Sequence, residues 1–128
     1  MVDLKGVRHS NQSLAALQPS IVAVFAGATA GIGLGTLTQF TKHTNAPVVF
    51  IVGRSEEKGR EIVDRLKNIN PKGTFHFIQA QFSLLREVDR VSVEIKKLTT
   101  HVDILYLSTG YLTFEGRKGL LLSQEIKL

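Results

Sequence analysis

The stretch Ile21-Val22-Ala23-Val24-Phe25-Ala26-Gly27-Ala28-Thr29-Ala30-Gly31-Ile32-Gly33 decides the fold. Ile21 to Ala26 is a continuous apolar run, β-branched in part and closed by Gly27. Such a run reads as a strand buried on both faces, the signature of a parallel sheet covered by helices. Gly31 to Lys42 then sets Ile32, Leu34, Leu37 and Phe40 at roughly helical spacing. The glycines between strand and helix permit a tight turn in which backbone N–H groups are unshielded by side chains.

The same alternation continues downstream. Pro47 precedes Val48-Val49-Phe50-Ile51-Val52, a second apolar strand that stops at Gly53. Ser55 is placed to cap a helix whose first turn holds Glu56 and Glu57, where the helix dipole favours negative charge. Ile62, Val63, Leu66 and Ile69 form its apolar face, with Glu61 and Arg65 on its wet side. Asn70-Pro71-Lys72-Gly73 is a turn cluster. Thr74 to Gln79 alternates as a third strand, and Phe75, Phe77 and Phe82 sit as core strand positions would. Leu84, Leu85, Val88, Val91, Ile95 and Leu98 mark an amphipathic helix. Asp103 introduces a fourth strand, Ile104-Leu105-Tyr106-Leu107, followed by Ser108-Thr109-Gly110.

Strands alternating with helices specify an α/β fold with right-handed crossovers. The expected architecture is a parallel sheet of about four strands in the order 3-2-1-4. Helices near 32–43 and 56–68 belong on one face and a helix near 84–98 on the other. Residues 1–19 read as a polar lead-in, helical around Leu14 to Leu17, residues 20–110 as a dinucleotide-binding half-domain, and residues 111–128 as an irregular or partly helical tail.

Composition narrows the function classes. The chain has 128 residues, 43% of them hydrophobic and 21% charged, which fits one globular domain. It contains no cysteine, which excludes a disulfide scaffold, thiolate metal ligation and a thiol nucleophile. The net charge of +5 is dispersed from Lys5 to Lys127 and favours anionic ligands without marking a nucleic-acid surface. The longest apolar run, Ile21 to Ala28, is too short to span a bilayer, so no membrane partner is expected and the cytoplasm is the expected location. His9, His43, His76 and His101 show no metal-ligand spacing, and no metal site is expected.

The glycine turn has two readings. In the simpler one it only packs a helix onto a strand. The other makes it a pyrophosphate site, where unpaired N–H groups and the positive helix end meet the anion. Its position after a strong strand, at the head of the first strand–helix unit, favours the second.

Gly27-x-x-x-Gly31-x-Gly33, read as GATAGIG, resembles the cofactor turn of the short-chain dehydrogenase/reductase family. Gly53-Arg54-Ser55 resembles that family's NADP-selecting segment. Ala80-Gln81-Phe82-Ser83-Leu84 lies where the family has an acidic residue then an apolar one near the adenine. Leu107-Ser108-Thr109-Gly110 lies where many members have Asn-Asn-Ala-Gly. The segments VGRSEEKGR (52–60) and LSTGYLTFEGR (107–117) resemble fungal members associated with secondary metabolism. The resemblance covers about residues 20 to 118, the front half of a family domain. It implies a Rossmann-like fold and an NADP(H)-dependent carbonyl/alcohol oxidoreductase acting on a small molecule. Implied cofactor contacts are Gly27, Thr29, Ala30, Gly31, Ile32, Gly33, Arg54, Ser55, Gln81, Ser108, Thr109 and Gly110. Three departures stand out: Ala26 for a threonine, Gln81 for an aspartate, and Leu107-Ser108 for the asparagine pair.

Cofactor choice follows from the end of the second strand. An acidic side chain there would bind two ribose hydroxyls and repel a 2′-phosphate. Arg54 can instead fork onto a phosphate, and Ser55 can donate to it. NADP is therefore expected over NAD. Glu56 and Glu57, the rival ribose ligands, are better explained as first-turn helix acids.

Hydride transfer in the family implies a Tyr-x-x-x-Lys pair in which tyrosine is the acid or base. Tyr106 is followed four residues later by Gly110, and Tyr111 by Glu115, so neither supplies it. The expectation is a chain truncated before the catalytic helix, with no catalytic residues and low solubility from an exposed sheet edge that promotes self-association. The alternative is a non-catalytic NADP-binding or interaction module.

Overall fold

The computed structural model describes residues 1–16 and 20–109. Its elements in chain order are α1 (Leu4–Ser13), a 3₁₀ turn (Leu14–Ala16), β1 (Val22–Ala26), α2 (Gly31–His43), β2 (Val48–Gly53), α3 (Glu56–Ile69), β3 (Thr74–Gln79), α4 (Leu85–Leu98) and β4 (Ile104–Leu107). The strands form one parallel sheet in the order β3-β2-β1-β4, as the alternating pattern predicts.

The two faces of the sheet carry separate cores. On one, Ala23, Phe25, Val49 and Ile51 meet Leu37 of α2 and Ile62 and Leu66 of α3. On the other, Val22, Val24, Phe50 and Val52 meet Val91 and Ile95 of α4. The alternation of β1 and β2 side chains between these cores explains why both strands read as unbroken apolar runs. The first two crossovers run one way across the sheet, and the third returns past β1, which puts α4 on the opposite face.

Local signals set the ends. The Ser55 hydroxyl accepts from the Lys58 N–H at 3.3 Å and starts α3. Asn70 ends α3 and also closes α2, because its Nδ2 donates to the carbonyls of Thr41 and Thr44 at 3.0 and 2.9 Å. Asp103 seats β4: its N–H donates to the Val22 carbonyl, and its carboxylate accepts from the Val22 N–H at 2.9 Å.

Two local expectations differ from the structure. The lead-in is helical from Leu4, capped by Asp3, rather than only around Leu14 to Leu17. None of the residues of α1 is buried, and the segment is polar on average, so it offers no core-facing run to read. On α4 only Val91 and Ile95 are buried, while Leu85 and Leu98 are exposed. The tail expected at 111–128 lies outside the described residues. Among the described residues no helix is long and apolar enough to cross a membrane.

Candidate nucleotide-binding site

The glycine turn is shaped by its neighbours. Gly27 leaves β1 at φ +81°, and a Cβ there would lie 2.5 Å from the Ser108 carbonyl oxygen and 2.8 Å from the Thr109 nitrogen. No side chain fits between the carboxyl ends of β1 and β4. Gly33 serves helix packing: its Cβ would come within 2.9 Å of both the Ala28 Cα and the Gly27 carbonyl oxygen. Gly31 differs, since it has φ +60° with nothing within 4 Å of where a Cβ would point. The left-handed backbone favours glycine there, while the space beyond it is open.

Helix α2 begins at this turn with Ala30 as its N-cap and no side-chain cap. Its first N–H groups therefore lack the hydroxyl or carboxylate acceptor that usually satisfies them. Those donors and the positive end of the helix dipole are available to an anion.

Beside the turn lies an open cleft of about 430 Å³ at the carboxyl ends of the strands. The topology puts it there: β1 and β4 are neighbours at the point where the strand order reverses, which leaves a crevice between their outgoing loops. Its lining includes Gly27 and Thr29 of the turn, Gly53 and Arg54 beyond β2, the segment Ala80 to Ser83 beyond β3, and Ser108 and Thr109 beyond β4. Among the described residues, none that lines the cleft is acidic, and Arg54 is the one with a full charge.

The residues expected from sequence fall into groups. Gly27, Thr29, Arg54, Gln81, Ser108 and Thr109 line the cleft together. Ala30, Gly31 and Ile32 stand exposed at the start of α2, and Gly33 is buried beneath the turn. Ser55 is engaged as the cap of α3, so its hydroxyl already accepts a hydrogen bond. Gly110 lies outside the described residues. Val52, Gly53, Ala80, Phe82 and Ser83 complete the lining and were not singled out as contacts. Their signal was position, since each lies at or just past the carboxyl end of a strand.

Gly53 also explains how the turn and β2 approach each other, because a Cβ there would fall 2.7 Å from the Thr29 methyl. The far wall is tied to β2 by hydrogen bonds. The Ala80 N–H donates to the Gly53 carbonyl at 2.9 Å, and the Gln79 Nε2 donates to the Arg54 carbonyl at 3.1 Å. Arg90 of α4 donates to the Gln79 carbonyl at 2.6 Å and to Glu87 at 2.6 and 3.0 Å. The hydrogen bond to Glu87 raises the guanidinium pKa above its ordinary value, aided by the charges of Glu87 and Glu94 and opposed by desolvation.

Comparisons with known proteins agree with this geometry. The NmrA-like family domain-containing oxidoreductase notO of Aspergillus sp. is 39% identical over 120 residues, covering 92% of this chain and 36% of that protein. An oxidoreductase of Emericella nidulans is 41% identical over 117 residues, covering 91% of this chain and 35% of its own length. The chain thus spans about a third of the length of these curated relatives. Among solved structures, L-sorbose reductase from Gluconobacter frateurii, complexed with NADPH and L-sorbose, superposes with a TM-score of 0.68 at 23% identity, covering 74% of this chain and 35% of that one. That likeness shows the fold, Rossmann-like and parallel. The family model for short chain dehydrogenases matches residues 21–126, and the chain belongs to that family.

Proposed function

We propose that this chain forms the NADP(H)-binding half of a carbonyl/alcohol oxidoreductase that acts on a small molecule in fungal secondary metabolism, in the cytoplasm. The observation that carries the cofactor choice is the pairing of Arg54 at the carboxyl end of β2 with a cleft lined, among the described residues, by no acidic side chain. A 2′-phosphate would meet a guanidinium there, with no carboxylate among the described lining residues. The residues fit such a ligand in three ways. The turn has room at Gly31, the start of α2 has uncapped donors, and the cleft opens at the strand-order reversal. The bound nicotinamide would supply the hydride acceptor or donor. The chain's own residues hold the pyrophosphate by backbone N–H groups and select the ribose phosphate through Arg54.

The relatives support the reaction class, since notO and its Emericella counterpart are named oxidoreductases. NADPH bound in the L-sorbose reductase complex supports the cofactor class. A charged hydrogen bond of about 1.5–3 kcal/mol corresponds to a preference of about 10- to 150-fold. Calorimetric titration of the chain and of Arg54→Asp with NADP and NAD tests this. Wild type should prefer NADP by a factor in that range, and the variant should lose NADP while keeping NAD. Equal loss of both cofactors would show that Arg54 is not the selector.

A second reading, a non-catalytic NADP-binding module, draws on the absence of a Tyr-x-x-x-Lys pair from these 128 residues. It shares the cofactor site and differs only in turnover.

A further inference from the structure

Arg54 is exposed and sits on the short connection between β2 and α3. What fixes its backbone comes from two elements away. Gln79, the last residue of β3, is the register partner of Gly53, and its side-chain amide reaches one residue further to donate to the Arg54 carbonyl at 3.1 Å. Gln79 is held in turn. Its carbonyl accepts from Arg90 at 2.6 Å, and the N–H of the same peptide unit, that of Ala80, donates to the Gly53 carbonyl at 2.9 Å. Arg90 is braced by Glu87 at 2.6 Å and Glu94 at 3.5 Å.

The Gln79–Ala80 peptide is thereby clamped on both edges, and α4, β3 and the Arg54 connection form one hydrogen-bonded chain. We propose that Gln79, locked by Arg90, is a positioning residue for cofactor selection: it sets the direction in which Arg54 leaves the end of β2 and so the strength of the 2′-phosphate contact. This rests on the NADP reading of the site.

The physical case is one of entropy and aim. An unanchored arginine on a loop must give up rotamer and backbone freedom to meet a phosphate. A carbonyl held from the neighbouring strand removes part of that cost before the ligand arrives. The groups involved are solvent-exposed, so ion pairs of this kind add little to global stability. Their effect belongs in binding selectivity rather than in the melting temperature.

The test is a titration of NADP and NAD against the 128-residue chain, Gln79→Met, Arg90→Met, Arg54→Ala and the double variant Gln79→Met/Arg54→Ala. Circular dichroism checks that each variant is folded. Methionine keeps the length of glutamine and removes the donor. The NADP affinity of Gln79→Met should fall about three- to tenfold, the worth of one hydrogen bond, with NAD affinity within about twofold of wild type. Arg90→Met should shift the ratio in the same direction by less. In the Arg54→Ala background Gln79→Met should leave the ratio unchanged, because the two residues act as one unit. A parallel loss of both cofactors, no loss, or additivity in the double variant overturns the positioning role and leaves the NADP reading standing. A wild-type chain with no preference for NADP, or one whose preference survives Arg54→Ala, overturns the NADP reading and the positioning role with it.

Discussion

Gly27 and Ser108 touch across the boundary between β1 and β4, so closely that a single added carbon on Gly27 would sit 2.5 Å from the Ser108 carbonyl oxygen. The Ser108 N–H donates to the Ala26 carbonyl at 2.8 Å, just past Ala26 and Leu107, the last register pair of the β1–β4 ladder. The crevice at the strand-order reversal is bounded by this contact, and the cleft opens immediately beyond it.

Gly27→Ala should therefore separate β1 from the end of β4. A non-glycine residue at φ +81° is strained by about 1–3 kcal/mol before the clash is counted. The expected outcome is a lower thermal midpoint by circular dichroism together with loss of NADP binding. An unchanged midpoint would mean that the β1–β4 junction is looser than the contact implies.

Asn70→Ala probes the α2–α3 connection. The Asn70 amide donates to two carbonyls at the end of α2, and the residue is half-buried. Its removal leaves those acceptors short of partners, at a cost of about 1–3 kcal/mol. Urea denaturation should show a lower midpoint with unchanged slope, and cofactor preference should stay as in wild type because the residue is remote from the cleft lining.

Strand β4 pairs only with β1 among the described residues, and Leu105 and Leu107 are 62% and 64% exposed. An apolar edge of this kind offers free N–H and C=O groups to another chain. Leu105→Lys should shift the chain toward a monomer in size-exclusion chromatography with light scattering. An identical concentration-dependent profile in wild type and variant would remove the edge as the site of association.

Turnover is expected to be absent from this chain by itself. General acid–base catalysis typically contributes about 10²–10⁴-fold, and these 128 residues contain no Tyr-x-x-x-Lys to provide it. NADPH absorbance should stay constant when carbonyl substrates are added. Robust substrate-dependent oxidation, abolished by Gly31→Asp, would disprove this. That substitution places a carboxylate in the open space beside the start of α2, where it would repel a phosphate.

Much of the fold was legible in one dimension. The unbroken apolar runs of β1 and β2 required burial on both faces, and that requirement implied helices above and below a parallel sheet. The spacing of Leu37, Ile62, Leu66, Val91 and Ile95 gave the faces those helices bury. The glycine turn was equally plain, since Gly27 and Gly31 sit where a positive φ is needed and few other residues tolerate it. Helix α1 was less plain because it is polar on average and buries nothing.

What the chain alone could not show was which distant residues meet. That Gly27 is required by Ser108, Gly53 by Thr29, and Arg54 is held by Gln79, itself held by Arg90, depends on contacts between residues 11 to 81 positions apart. Hydrophobic periodicity records which face of an element is buried, and it carries no record of partners. Only the order β3-β2-β1-β4 brings the ends of the strands together, and with them the turn, the arginine and the far wall of the cleft.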